Sequence, residues 1–300
     1  LYHIQNNEKR TKLTIAPIVH FRDFHTTTPD ANFDIKQEVK EQKVKLIINN
    51  QKQTPVYMRI SEGKYIPHEN DIFRGMYYLE EEKRGQSAEE NLAVPGVFEI
   101  KLRAREEKYV SFVFSLEENI EEIDGRNLIN QEIIRITSTL YDSYLLDTKK
   151  EYDNQYKTLM RDYIIASDNF IVYRPSFALY TLIAGYPWFL DWGRDTLIAF
   201  EGILLIPRRF EIAKEVLLTC IRDIKYGLVP NGYSGYDNRP LYNSVDASLL
   251  LFEQVRKYLE YTHDYEFLKE QLYEVLKKVM NSYIEGIDLD GNNIHLDLED

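Results

Sequence analysis

The most informative stretch of this chain is Tyr186-Pro-Trp-Phe-Leu-Asp-Trp-Gly-Arg-Asp-Thr196. It contains both tryptophans of the protein, one arginine and two aspartates, and it leads into apolar residues at helical spacing. Trp192 can offer a flat face to a sugar ring, while Arg194 and Asp195 can bond neighbouring hydroxyl groups. A purely structural interpretation also fits, because Asp195 can cap the following helix and the indoles can pack under the loop. The segment alone leaves both interpretations open.

Apolar residues recur at helical spacing on both sides of this stretch. They predict helices at about 152–168, 196–206, 210–225, 244–261 and 265–284, after an earlier helical pattern over 129–140. Pro207 ends one of them, because proline cannot donate into a helix. Some of the connections are short, whereas those at 184–193 and 227–240 are long and rich in aromatic residues. Paired helices with long loops on one side predict an α/α toroid, with binding groups on those loops.

Before residue 120 the apolar period is two instead. Phe98, Ile100 and Leu102 alternate with charged residues, and the same alternation of apolar and polar residues recurs in several short segments. Short strands with one buried face predict an antiparallel β-sandwich. The predicted domains are therefore a β-sandwich at 1–120, a helical linker at 121–150 and the first part of an (α/α)6 domain at 151–300.

A second loop, Pro230 to Asp246, is rich in tyrosine and amide side chains. Such a loop suits a neutral polyhydroxyl ligand better than a phosphate. The structural alternative is that Asn243 or Ser244 caps the next helix, with Asp246 favoured in its first turn by the helix dipole. Both alternatives stay open at this point.

Composition excludes several classes of protein. The chain has 37 Lys and Arg against 49 Asp and Glu, a net charge of -12, so no basic footprint for nucleic acid or an anionic membrane is visible. The single cysteine, Cys220, excludes an internal disulfide framework. No apolar run is long enough to span a bilayer, and the six histidines have no metal-ligand spacing, so we expect no metal site.

The alternating residues near the start predict a strand almost at once after Leu1, and the pattern at Asp300 is unfinished. We therefore expect this chain to be a piece of a longer protein. No signal peptide is visible, and we expect a cytoplasmic location.

The motifs together resemble a known family. Ala184-Gly-Tyr-Pro-Trp-Phe189 and Trp192-Gly-Arg-Asp-Thr196 are followed by Gly227-Leu-Val-Pro-Asn231 and then by Tyr242-Asn-Ser-Val-Asp-Ala-Ser248. In this order and approximate spacing they resemble the amylo-α-1,6-glucosidase part of the glycogen debranching enzyme family. The first 120 residues resemble the sandwich that precedes the catalytic toroid in bacterial and archaeal members.

The resemblance implies an (α/α)6 barrel that removes single glucose residues at α-1,6 branch points of glycogen or limit dextrin. Water attacks with inversion, and no cofactor is needed. The arginine–aspartate pair after the tryptophan grips glucose in related toroidal glucosidases. The implied substrate-binding residues are Trp192, Arg194, Asp195, Asn231, Tyr236, Asn243 and Asp246.

The catalytic acid and base are not assigned. In the family the acid lies in a motif expected just beyond the segment Asp297-Leu-Glu-Asp300, and the base lies further on. We therefore predict that this 300-residue chain alone has no debranching activity. Two alternatives remain: a glycan-binding module without catalysis, and another (α/α)6 hydrolase such as a glucoamylase- or trehalase-like enzyme.

Two further predictions concern placement. Trp192, Arg194, Asp195 and Asp246 should converge at one end of the helical domain. The sandwich should bind no ligand of its own, because its outward faces carry Lys and Glu and not an aromatic stripe.

Overall fold

The computed structural model describes residues 1–23, 26–120, 124–147, 149–187, 189–234 and 239–286. The chain folds as two units, Leu1–Glu132 and Ile133–Asp300, which we call the β unit and the helical unit. The division lies inside a helix of the segment 121–150, which the sequence analysis treats as a linker.

The β unit is built from antiparallel strands, as predicted. The strands are β1 (Tyr2–Gln5), β2 (Thr11–Ile15), β3 (Ile35–Lys40), β4 (Lys43–Ile48), β5 (Val56–Ile60), β6 (Lys64–Tyr77), β7 (Glu89–Leu102), β8 (Glu107–Val110) and β9 (Phe112–Ser115). One short helix, α1 (Leu79–Lys83), joins β6 to β7. The sheet orders are β2-β7-β6, β3-β4-β5-β9 and the pair β1-β8.

Alternation of side chains explains the core of this unit. Leu46 of β4 and Met58 of β5 belong to the four-stranded sheet, and Phe98 and Ile100 of β7 to the three-stranded sheet. All four are fully buried in one hydrophobic cluster. Because successive side chains of a strand point to opposite faces, the intervening residues of β7, such as Glu99 and Lys101, lie on the outer face.

The helical unit contains every helix that the apolar spacing predicts. The helices are α2 (Gly125–Asp142), which crosses the division between the units, α3 (Asn154–Asp168), α4 (Gly193–Phe200), α5 (Phe210–Arg222), α6 (Asp246–Thr262), α7 (Tyr265–Phe267) and α8 (Tyr273–Glu285). Two π-helical turns, Glu201–Leu205 and Leu268–Leu272, extend α4 and join α7 to α8. The helical path of α4 ends just before Pro207, as predicted.

Two small hairpins in the helical unit have no counterpart in the sequence analysis. They are β10 (Ile171–Arg174) with β11 (Leu179–Leu182), and β12 (Gly232–Tyr233) with β13 (Pro240–Leu241). These strands show no clear alternation of apolar and polar residues, so the sequence does not reveal them. Tertiary contacts hold the first hairpin, since Tyr180 N–H donates to Glu215 Oε2 at 3.1 Å and Thr219 Oγ1 donates to the Tyr180 carbonyl at 2.8 Å.

The core of the helical unit lies between α4, α5 and α6. Phe200, Val216, Leu217, Leu251 and Tyr258 are fully buried there. This packing fixes the helix that carries Arg194 and Asp195 against the helix that begins at Asp246.

Candidate functional site

The site begins where the two aromatic loops meet. Trp192 pairs with Gly232 in an isolated antiparallel bridge. Beside it, Gly193 N–H donates to the Asn231 carbonyl at 2.8 Å, and Asn231 N–H donates to the Leu241 carbonyl at 2.8 Å. The loop before α4 and the loop before α6 are therefore joined through main-chain bonds.

Gly193 is required for this junction. A β-carbon at this position would lie 2.3 Å from the carbonyl oxygen of Pro230, far inside contact distance. The close approach lets the buried Asn231 accept twice from the start of α4, since its side-chain Oδ1 also accepts from Arg194 N–H at 3.3 Å. Asn231 thus satisfies two N–H groups that have no partner within the helix.

Arg194 and Asp246 form the central pair of the site, although they lie 52 residues apart in sequence. Arg194 Nε lies 2.8 Å from Asp246 Oδ2, and Arg194 Nη2 donates to Asp246 Oδ1 at 2.9 Å. Two guanidinium nitrogens therefore engage one carboxylate, an arrangement with strong directional preference. Because α4 begins at Gly193 and α6 at Asp246, the pair also shows that both helices start at the same end of the unit.

Asp246 is held as a carboxylate. The Ser244 hydroxyl donates to its Oδ1, and this bond, together with the Arg194 guanidinium, lowers the pKa of Asp246. Its place as the first residue of α6 adds the favourable field of the helix N-terminus. Asp246 is therefore suited to accept hydrogen bonds and poorly suited to donate a proton near neutral pH.

Asp195 and Asn243 are the accessible polar groups of the site. Asp195 lies in the first turn of α4, because the helix starts at Gly193; the alternative that Asp195 is the cap residue is therefore wrong. Both side chains are exposed. Within the part of the chain that the structure describes, neither has a hydrogen-bond partner, so both can bond a ligand.

The structure thus brings Trp192, Arg194, Asn231 and Asp246 together, with Asp195 one residue further along α4. Asn243 precedes α6 by three positions. Tyr236 lies outside the described residues, as do Trp188 and the segment 297–300. The structural alternative for the second loop is correct for Asp246, which lies in the first turn of α6. The cap position is Val245 and not Asn243 or Ser244, although Ser244 Oγ accepts from Ala247 N–H at 3.4 Å.

An internal ion pair that sequence reasoning missed supports the tryptophan loop. Asp191 is buried, and Arg174 of β10 donates to its two oxygens at 2.5 and 2.6 Å. The guanidinium also lies over the rings of Phe177, at 4.3 Å, and Tyr233, at 4.8 Å. Asp191 belongs to the stretch 186–196 that the sequence analysis singles out. Its partner, Arg174, lies in the hairpin β10–β11, which the sequence pattern does not predict.

The hydroxyl groups of Tyr233 and Tyr242 are used inside the protein. Tyr233 Oη donates to Asp223 Oδ2 at 3.1 Å, and Tyr242 Oη donates to the Asp223 carbonyl at 2.6 Å. Burial, followed by the charge of Asp223, raises the pKa of both tyrosines. They shape the second loop and are not hydrogen-bond donors to a ligand.

The site offers space on its exposed face and very little inside the protein. A small cavity of about 20 Å³ lies among Asp191, Cys220 and Tyr233, which is room for one water molecule. A ligand larger than water does not fit there, and the accessible face of the site is the one where Arg194 and Asp246 are half-exposed. No cluster of three or more metal-ligating side chains occurs among the described residues. No helix in the described ranges has the length and apolarity needed to cross a membrane.

Comparison with known proteins assigns both parts of the chain. Residues 1–109 match the sequence model of a family described as glycogen debranching enzyme N terminal, and residues 165–300 match one described as amylo-alpha-1,6-glucosidase. A segment of 98 residues is 36% identical to the glycogen debranching enzyme of Saccharomyces cerevisiae (strain ATCC 204508 / S288c). The match covers 31% of this chain and 6% of the yeast protein.

Proposed function

The chain belongs to the glycogen debranching enzyme family, and on that premise we propose that it forms part of an α-1,6-glucosidase. In this proposal the enzyme releases single glucose residues from α-1,6 branch points of glycogen or limit dextrin by inverting hydrolysis. The helices α3–α8 would then be the first part of an (α/α)6 toroid. The common starting end of α4 and α6 supports this architecture, because inner helices of such a toroid run in one direction.

The observation that carries the proposal is the Arg194–Asp246 pair beside Trp192. A glucose ring presents polar hydroxyl groups at its edge and apolar C–H groups on its faces. Arg194 supplies fixed donors, and Asp246 and Asp195 supply acceptors with charge, whose hydrogen bonds are stronger than neutral ones. Trp192 supplies an apolar face in the same place. Asn231 holds the start of α4 in position, and Asn243 and Tyr236 complete the proposed binding set.

We assign these groups to glucose binding and not to proton transfer. Inverting hydrolysis needs a protonated acid on the leaving oxygen and a base that activates water, with carboxyl groups about 6.5–9.5 Å apart. Asp246 is committed to Arg194 and Ser244 and has a lowered pKa, which is the wrong direction for an acid. The acid and base are proposed to lie beyond Asp300. The match of residues 1–109 supports a β domain before the toroid, as in bacterial and archaeal members.

The test is glucose release from limit dextrin by the native-length protein and by two variants, Asp195→Asn and Asp246→Asn. Each loses charge-assisted hydrogen bonds to the sugar, so kcat/KM should fall about 10- to 150-fold. Glu266→Gln is the matched control, because Glu266 is exposed on α7 and has no partner among the described residues. A collapse of several orders of magnitude in either aspartate variant would instead identify that residue as a catalytic group.

Substrate choice tests the alternatives. Release of glucose from panose and limit dextrin, with β-glucose as the first product in proton NMR, is expected. Preference for α-1,4-linked chains or for trehalose would point to a glucoamylase- or trehalase-like enzyme. If the native-length protein binds these glucans but does not hydrolyse them, the alternative of a glycan-binding module without catalysis is supported. The 300-residue chain alone is expected to release no glucose, and release by it would place the acid and base within the present sequence.

A further inference from the structure

A concentration of positive charge lies on the β unit of this acidic protein. A groove of about 650 Å³ is lined by five basic side chains, and we call it the cationic groove. Its basic residues are Arg10, Lys12, Lys101, Arg103 and Lys108. Only two carboxylates, Glu62 and Glu106, line it with them. The chain as a whole carries a net charge of -12, so this local excess runs against the overall composition.

Strand register explains how the charges meet. In the β2–β7 pairing Lys12 stands directly opposite Lys101. Arg10 and Arg103 are the next residues beyond the last pair of this ladder, Thr11 with Leu102. Lys12 and Lys101 lie on the outer face of the sheet, with opposed Cβ atoms about 5 Å apart. Arg10 and Arg103 flank the end of the same strand pair, and all four side chains line the groove.

The protein neutralises only part of this charge. Lys12 bonds Glu99, and Lys108 lies 2.6 Å from Glu62 and 3.2 Å from Glu106. Across the described ranges no carboxylate lies within ion-pair distance of the side chains of Arg10, Lys101 or Arg103, which are all exposed. Glu106 accepts from Arg103 N–H at 2.6 Å, but it does not pair with the guanidinium. Like charges directly opposite each other on a sheet destabilise it. The sequence specifies this arrangement although it opposes folding, and a bound anion would relieve it.

The number of unpaired charges indicates the class of anion. A carboxylate would neutralise one of the three unpaired cations. A phosphate dianion would neutralise two of them and accept several hydrogen bonds from Arg and Lys. The groove has the volume of a small-molecule site and exceeds one phosphate group. We propose that the cationic groove binds the phosphate group of a small molecule, either inorganic phosphate or a phosphate monoester. This departs from the expectation that the β unit binds no ligand, and it is independent of the proposed glucosidase function.

The test is calorimetric titration of the chain with inorganic phosphate and with glycerol 3-phosphate, at constant ionic strength. Glycerol is the uncharged control, and none of the probes is a glucan that would occupy the α4–α6 site. Saturable binding of at least one phosphate probe is expected. Tighter binding of glycerol 3-phosphate assigns the groove to monoesters, and tighter binding of inorganic phosphate assigns it to the free ion.

The double variant Lys101→Gln/Arg103→Gln should weaken binding about tenfold or more, because two of the three unpaired cations are lost. Its thermal midpoint without ligand should equal or exceed that of the wild type, since like-charge repulsion is relieved. Lys40→Gln/Lys52→Gln removes the same charge from exposed positions outside the groove and should leave the affinity unchanged. No saturable binding up to about 10 mM, or equal loss in both double variants, would overturn the proposal.

Discussion

Replacing Gly193 by alanine tests how the site is held together. The added β-carbon would lie 2.3 Å from the Pro230 carbonyl oxygen, so one of the two main chains must move by about 1 Å to restore contact distance. The obstacle is backbone and not the end of a flexible side chain. The movement would break the bonds from Gly193 N–H and Arg194 N–H to Asn231.

The expected loss follows from these contacts. Each broken hydrogen bond contributes about 0.5–1.5 kcal/mol, and overpacking costs about 1–3 kcal/mol. Together they lower the free energy of unfolding of the helical unit by about 2–6 kcal/mol. With a urea dependence of about 2 kcal/mol per M, the unfolding midpoint should fall by about 1–3 M.

Tryptophan fluorescence in urea is the appropriate measurement, because both tryptophans belong to the stretch 186–196 and report on the helical unit. Gly202→Ala is the matched control. Its β-carbon would meet only the hydroxyl end of Tyr163, at 3.3 Å, and alanine is the better helix former by about 1 kcal/mol. If Gly193→Ala unfolds within about 0.5 kcal/mol of the wild type, the close junction of the two loops is refuted.

Further predictions concern single buried groups. Glu90→Gln should destabilise the β unit by about 3–5 kcal/mol in urea followed by circular dichroism, because the buried carboxylate accepts from Arg22 at 2.8 and 2.9 Å and from Tyr78 at 2.5 Å. Burial opposes ionisation of Glu90, but these bonds lower its pKa below the ordinary 4.5. Its contribution should therefore be complete above pH 4.5 and vanish as pH falls through the lowered value, so that the thermal midpoints of wild type and Glu90→Gln converge in acid. Cys220 should resist thiol reagents at pH 8 in the native protein and react in urea, since burial raises its pKa to about 12.

Periodic burial made most of the fold predictable. Alternation predicted the antiparallel strands of the β unit, and the apolar faces of the longer helices predicted the helical unit. The strands were expected to be short, but β6 and β7 each have 14 residues. The hairpins around Tyr180 and Tyr233 were not predicted, because they are stabilised by bonds to distant residues such as Glu215 and Asp223.

The residues of the candidate site were likewise only partly predictable from the sequence. Trp192, Arg194 and Asp246 were singled out by residue type and motif order, and the structure shows that Arg194 and Asp246 touch. Arg174 could not be found, because nothing near it in sequence indicates that it neutralises Asp191. The cationic groove was also missed. Its members come from segments some ninety residues apart, and only strand register joins Lys12 to Lys101.

The most direct test of the central claim is the affinity of isomaltose for the native-length protein, followed by tryptophan fluorescence. If Trp192, Arg194, Asp195 and Asp246 form one glucose site, isomaltose should change the fluorescence saturably. The affinity should fall about tenfold or more in both Asp195→Asn and Asp246→Asn and stay unchanged in Glu266→Gln. Equal affinities in the wild type and the two aspartate variants would show that glucose binds elsewhere and would contradict the account.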